Sequence, residues 1–265
     1  MTPGGFKITD APNPAWTYGE KVGATPQGRQ WLEGEKAGWK TVDPTTEDPR
    51  KLYGLLLSGI APRPVAFVST ISEDGITNLA PYSWFNQVSS NPPVLSISMM
   101  TLRNPTRSKD SARNIKATKG FTVNIVSEPW VAQSNIASVN APEDFDEWPV
   151  SGLMKEPSIH VKAPRVRESA FSMECELLEA IDIPIPETGE ICTNLILGTI
   201  KYIHVRNDVL DERGNVDPGK LKLVGRMGGT LYAKVNEGYN IFRPNWEEHG
   251  EPIRETTDSI FKSEH

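Results

Sequence analysis

A β-rich run, Val65–Ile71, is followed by Ser72-Glu73-Asp74-Gly75 and then by a second run, Ile76–Ala80. Parallel strands need a crossover of about a dozen residues or more, so four turn-forming residues oblige these runs to pair antiparallel as a hairpin. Pro81 follows at once and cannot donate to a ladder, so the return strand ends there or lies on a sheet edge. Asn91-Pro92-Pro93 introduces another run, Val94–Met99, and further β-rich segments are Phe121–Val126, Ser172–Ile183 and Leu195–Val205, with Leu221–Tyr232 returning to the sheet. Few helices intervene, and the regular strand–helix alternation of a doubly wound sheet is missing. The chain therefore reads as mainly β with α, antiparallel, with peripheral helices.

The predicted helices are punctuated by proline and glycine. One begins at Thr25 with Pro26 in its first turn and stops near Gly38; a second opens at Asp48-Pro49, presents Leu52, Leu55 and Leu56, and ends at Gly59. Ser108–Lys119 reads as a helix stopped by Gly120, and Trp130–Val139 as an amphipathic one. Residues 143–148 read as an acidic loop and Asp211–Lys220 as a polar one. Three parts are expected: an N-terminal arm (1–50), a main domain (51–235) and a polar, partly mobile C-terminal tail (236–265). The arm is rich in Pro and Gly yet carries Phe6, Trp16, Tyr18, Trp31 and Trp39, so it is expected to lie on the main domain or on a partner subunit.

Composition excludes several classes of function. The net charge of −6 argues against a surface that tracks nucleic acid. No apolar run approaches the about 18 residues that span a bilayer. The start, Met1-Thr2-Pro3-Gly4-Gly5, has no basic stretch leading into an apolar one and is not expected to be a secretory signal. Cys175 and Cys192 are too few for a disulfide framework or a zinc site and read as reduced thiols of a cytoplasmic protein. His160, His204, His249 and His265 show no metal-ligand spacing, and each reads as a surface or structural residue. Phosphate-binding glycine loops and a Gly-x-Ser-x-Gly elbow are absent; Gly225-Arg226-Met227-Gly228-Gly229 is the nearest approach to a dinucleotide fingerprint, with the wrong spacing.

Two segments carry candidate chemistry. Arg107-Ser108-Lys109-Asp110-Ser111 stands at a helix start, where unpaired N–H groups and a positive partial charge favour an anion. Arg107 and Lys109 would add charge and Ser108 and Ser111 hydroxyls, while Asp110 has the wrong sign and is expected to cap the helix. The same residues also suit an ordinary capped surface helix, and locally the two readings stand side by side. Asn78-Leu79-Ala80-Pro81-Tyr82-Ser83 offers backbone and hydroxyl groups along an interrupted strand, with Ser69 and Thr70 on its neighbour. Such a segment suits the polar rim of a flat heterocycle, and composition alone leaves that open. Trp84 and Phe85 read as core or subunit-interface aromatics.

The order of these motifs is informative. Pro62-Arg63-Pro64-Val65-Ala66-Phe67-Val68-Ser69-Thr70, a Gly75 turn, Asn78-Leu79-Ala80-Pro81-Tyr82-Ser83-x-Phe85, Pro92-Pro93, Lys109-Asp110-Ser111-x-x-Asn114-Ile115 and Phe121-x-Val123-Asn124 together resemble the flavin reductase-like family of FMN-binding split barrels, including its flavoredoxin-like members. Phe145-Asp146-Glu147, Pro164-Arg165-Val166, Glu174-Cys175 and Arg226-Met227-Gly228-Gly229-x-x-Tyr232 continue the likeness, which runs from about Leu52 to Tyr232. The resemblance implies an antiparallel FMN-binding β-barrel that is homodimeric, with each flavin near the subunit interface. It implies that Asn78–Ser83 line the isoalloxazine, that Ser69 and Thr70 lie near the phosphate and ribityl chain, and that Arg107, Ser108 and Lys109 hold the phosphate. Ser111 stands where threonine is more usual and keeps the hydroxyl. The implied activity is an FMN-dependent oxidoreductase taking hydride from NAD(P)H for a small-molecule electron acceptor. Alternatives are a flavoredoxin-like electron carrier with no NAD(P)H activity of its own, or a non-catalytic β-barrel scaffold. No catalytic side chain is implied, because hydride transfer to a flavin needs no protein acid or base.

Overall fold

The computed structural model describes residues 5–103 and 106–264. Met1–Gly4, and His265 among the histidines considered above, lie outside the described residues. In chain order the elements are β1 (Lys7–Thr9), α1 (Pro26–Glu33), α2 (Pro49–Gly59), β2 (Ala66–Ile71), β3 (Thr77–Tyr82), β4 (Phe85–Ser90), β5 (Pro93–Met100), β6 (Leu102–Arg103), β7 (Thr106–Arg107), α3 (Asp110–Thr118), β8 (Gly120–Ile125), α4 (Val131–Ile136), α5 (Glu147–Ser151), β9 (Lys155–Glu156), β10 (Arg165–Val166), β11 (Phe171–Pro184), β12 (Ile191–Val205), α6 (Pro218–Leu221), β13 (Val224–Arg226), β14 (Tyr232–Lys234), β15 (Glu237–Tyr239) and α7 (Trp246–Glu264). They form two compact units.

The larger unit holds residues 5–6 and 53–236. Its centre is a seven-stranded sheet in the order β3-β2-β8-β11-β12-β5-β4, antiparallel throughout. The expected hairpin is β2–β3, and its Pro81 lies on an edge strand, as a residue without an N–H requires. The consecutive strands β3 and β4 lie at opposite edges, joined by Ser83 and Trp84 alone. In a flat sheet those edges would stand about 29 Å apart, whereas the step from Tyr82 to Phe85 reaches at most about 11 Å. The sheet must therefore curl until its edges approach, which makes an unclosed, split barrel.

Strand β2 shows how the core divides. Ala66 and Val68 point into the barrel with Leu95, Ile97, Met99, Phe121, Val123, Met173, Cys175 and Ile196, and Ala112 and Ile115 of α3 plug it. Val65, Phe67 and Leu79 face outward, yet Trp130, Trp148, Leu153 and Val166 cover them. Alternate side chains thus enter two cores, so the run Val65–Val68 is apolar without a break.

Several expectations need correction. Strand β4 was not anticipated, and β3 runs on to Tyr82. Helix α3 begins at Asp110 and ends on Lys119, which adopts φ +66°; Gly120 instead opens β8. The Trp130–Val139 segment divides into a 3-10 turn (Glu128–Trp130) and the shorter α4. Residues 143–148 are not all loop, since Asp146 accepts from Trp148 N–H to cap α5 and buries Glu147 and Trp148. Likewise Asp217 caps α6 within the expected polar loop. Leu221–Tyr232 does not rejoin the large sheet: β13 and β14 pair with each other. Leu55 and Leu56, on the apolar face of α2, are 52% and 43% exposed.

The smaller unit holds residues 7–52 and 237–264. β1 pairs parallel with β15, and α1 starts behind a Thr25 cap with Pro26 in its first turn, as expected. Within the expected tail, Trp246–Glu264 form α7, a 19-residue helix. Tyr18 packs edge-on against both Trp16 and His249, holding the two segments of this unit together. No described helix is long and apolar enough to cross a membrane.

Candidate active site

A cavity of about 380 Å³ opens in the larger unit beside the β3 edge. Asn78, Ala80, Pro81 and Tyr82 line it from β3 and Ser83 and Trp84 from the link to β4; Lys109, Asp110 and Ser111 from the start of α3; Ser138–Ala141 from the segment after α4; and Tyr53, Leu57, Arg63, Arg226 and Tyr232 from α2 and the 62–65 and β13–β14 segments. The volume falls in the range of small-molecule and cofactor sites, about 300–1,000 Å³. Two segments some thirty residues apart, singled out by their chemistry, therefore share one cavity.

A buried polar network forms its floor. Glu147 Oε2 accepts from Asn78 Nδ2 (3.0 Å) and from Leu79 N–H (3.1 Å). Asn78 Oδ1 in turn accepts from Ser111 Oγ (2.7 Å) and Thr70 Oγ1 (3.4 Å), and Asn114 Nδ2 donates to Thr70 Oγ1 (3.1 Å). The bond to Leu79 N–H shows that this residue points its backbone away from β2, and alternation puts Pro81 on the same outward side. The missing N–H of Pro81 thus leaves no gap in the ladder. Burial pushes the Glu147 carboxyl above the usual range, against the lowering effect of its hydrogen bonds. Burial likewise raises the Tyr82 phenol. The Tyr82 hydroxyl lies beside Ser111 without a hydrogen bond of acceptable geometry.

The α3 start is shaped differently from expectation. Asp110 does not cap the helix: the N-cap residue is Lys109, whose side chain cannot accept, and no side chain caps the first-turn N–H groups. Asp110 instead joins Arg107 (3.2 Å) and Arg113 (2.7 Å), and Glu143 bridges the same two arginines at 2.8 Å each. Arg107 is therefore held in a charge quartet and does not line the cavity. Lys109 does line it, with Nζ donating to Asn140 Oδ1 (2.9 Å), and burial lowers its proton affinity.

The remaining expected residues separate clearly. Ala80, Pro81, Tyr82 and Ser83 line the cavity with Asn78, Lys109 and Ser111. Ser69 and Thr70 are fully buried behind it, and the Leu79 side chain belongs to the outer core. Ser108 is half-buried between Arg107 and α3. Phe85 packs on the barrel core as expected, while Trp84 lies in the cavity wall, 6.2 Å from Tyr53. Sequence reasoning missed Glu147, 69 residues from Asn78, and the buttress Arg63. The latter donates to Leu57 O (2.6 Å), Ile60 O (2.5 Å), Met227 O (2.8 Å) and Ser83 Oγ (3.3 Å), satisfying the C-terminal carbonyls of α2. The only sequence signals were the Phe145-Asp146-Glu147 and Pro62-Arg63-Pro64 pieces of the motif series.

A curled antiparallel sheet with a cavity between its edge strand and an uncapped helix start defines a split barrel with a small-molecule site. Residues 58–223 match the flavin reductase like domain, and the chain belongs to the flavin reductase-like family. An uncharacterized protein of Aquifex aeolicus is 40% identical over 188 residues, 71% of this chain and 92% of that one. Bacillus subtilis YwrF is 34% identical over 194 residues, 73% and 93% of the two chains. Among solved structures, nitrilotriacetate monooxygenase component B from Bacillus cereus is 32% identical, spans 77% of this chain and 99% of its own, and superposes with a TM-score of 0.73. A Shewanella frigidimarina protein with a split barrel domain shares the fold at 21% identity and a TM-score of 0.63, over 78% and 99% of the two chains.

Proposed function

We propose that this chain is an FMN-dependent oxidoreductase that accepts hydride from NAD(P)H and passes electrons to a small-molecule acceptor. One observation carries this reading: the Asn78–Ser83 edge and the Lys109 helix start line a single cavity. The donor set fits FMN. An ammonium and first-turn N–H groups without a side-chain cap suit a phosphate, and among the described residues the buried Tyr82 hydroxyl has no hydrogen-bond partner. Bound FMN would supply the hydride-accepting chemistry.

The protein's part is binding and orientation. Lys109 and the start of α3 would hold the phosphate. The 78–83 edge would carry the ring, kept rigid from beneath by the Glu147–Asn78–Ser111 network. Tyr53 and Trp84 would flank the space above the ring. Arg107 would act indirectly, through the quartet that fixes Asp110 and the Glu143 segment. We also propose a homodimer, consistent with the apolar surface left open at Leu55, Leu56, Ile60, Ile181 and Ile203.

Anaerobic mixing of the FMN-loaded protein with NADH or NADPH tests the activity. Loss of the yellow absorbance with either supports it. Colour that persists with both would make the chain a flavin-binding electron carrier.

A further inference from the structure

The two arginines of the cavity lie side by side without a counter-ion. Arg63 and Arg226 exchange backbone hydrogen bonds, Arg63 N–H to Arg226 O (3.0 Å) and Arg226 N–H to Arg63 O (2.8 Å), which pairs the two residues in an isolated antiparallel bridge. Both line the cavity, and among the described residues neither forms a salt bridge with any carboxylate. The two acidic groups of the cavity are engaged elsewhere, Asp110 by Arg107 and Arg113 and Glu147 by Asn78 and Leu79. Like charges placed together oppose each other unless an anion joins them. Burial, and then the like charge of Arg226, lower the proton affinity of the Arg63 guanidinium.

The two guanidiniums differ in what they have to spare. Arg63 spends its donors on three carbonyls and Ser83. Arg226 is half-buried, stacks its guanidinium 4.4 Å above the Tyr232 ring and gives only Nη2 to Gly229 O (2.7 Å). Among the described residues its other N–H groups have no acceptor. Its position is well determined: Tyr232 Oη donates to Asn135 Oδ1 (3.3 Å), and the neighbouring Gly225 lies so close to Pro62 that a Cβ there would come within 2.8 Å of the ring. Tyr53 and Trp84 supply flat apolar walls in the same cavity.

We propose that Arg226 is the anion contact for the second substrate, a planar molecule bearing a phosphate or carboxylate whose ring enters the Tyr53–Trp84 wall. This rests on the cavity holding FMN. A guanidinium fixed by stacking, with donors free, suits bidentate recognition of either anion. It would favour charged over neutral ring substrates of the same size.

The test uses the FMN-loaded protein and its Arg226→Leu and Arg226→Lys variants. The probes are NADH, NADPH, benzoate followed by flavin absorbance, and neutral N-benzyl-1,4-dihydronicotinamide. Arg226→Leu should weaken at least one charged probe by about tenfold or more. The loss should fall on the half-saturating concentration rather than the limiting rate, with partial rescue by lysine and no comparable change for the neutral probe. Weakening of the dinucleotides names a phosphate as the anion, and weakening of benzoate names a carboxylate. The proposal is overturned if no charged probe weakens, or if the neutral probe weakens equally. It is also overturned if the variant loses affinity for FMN but not for riboflavin, which would give Arg226 to the cofactor's phosphate. A wild-type protein that takes up no FMN overturns the reading beneath it.

Discussion

Glu147 is the residue whose chemistry is least expected from its neighbours in the chain. It is a buried carboxyl with no salt-bridge partner among the described residues, held by Asn78 and Leu79. Because folding raises its pKa, the folded state keeps the proton to higher pH than the unfolded chain does. Its contribution to stability therefore falls as pH rises from the usual glutamate range through the raised value. Glu147→Gln keeps an acceptor and removes the charge, so thermal denaturation at several pH values should show the variant losing less stability on going from acid to neutral pH. Glu147→Leu instead strands the Asn78 and Leu79 donors and should cost about 1–3 kcal/mol. Glu174 has the opposite sign. Burial works to raise its pKa, but bonds from Ile159, His160 and Val161 N–H and from His204 outweigh it, so its stabilisation is lost as pH falls through the lowered value. At the cavity, Lys109→Ala should weaken FMN by about 1.5–3 kcal/mol while barely changing riboflavin, as fluorescence titration would show. Arg107→Ala should do less, since Arg107 does not line the cavity. The Asn78–Ser83 edge and Lys109 were legible because a proline in a strand and cations at a helix start have local meaning. Glu147 and Arg63 were not, because their roles depend on partners brought close only by the fold.

Elements were readable where one local rule decided them. The β2–β3 hairpin follows from its turn, and α1 from Thr25-Pro26. Strand β4 begins directly after a two-residue link, with no turn cluster to announce it. Helices α5 and α6 are short and owe their existence to aspartate caps inside acidic or polar stretches. Helix α7 is polar and carries Pro252, both features of a tail. At the end of α3 the expected glycine was off by one, which leaves Lys119 in a left-handed conformation that costs a non-glycine residue about 1 kcal/mol. Lys119→Gly should therefore raise the melting temperature by a few degrees. Gly198→Ala should do the reverse: a Cβ on β12 would come within 2.5 Å of the fully buried Phe121 ring, and overpacking of this kind costs about 1–3 kcal/mol.

On the scale of the whole molecule, the family domain at residues 58–223 lies within the larger unit, and the smaller unit lies outside that match. Relatives that cover 92% and 93% of their own length match 71% and 73% of this one. The proposed dimer predicts a sedimenting mass of about twice 29.3 kDa; a species at the single-chain mass at micromolar concentration would refute it. The central claim is that the cavity between the β3 edge and α3 holds FMN. Its most direct measurement is the cofactor content of the purified protein, incubated with excess FMN and FAD, desalted and heat-denatured. Release of FMN at close to one per chain, falling sharply in Lys109→Ala, is the predicted result. A colourless protein, or one that retains FAD in preference to FMN, would contradict the account.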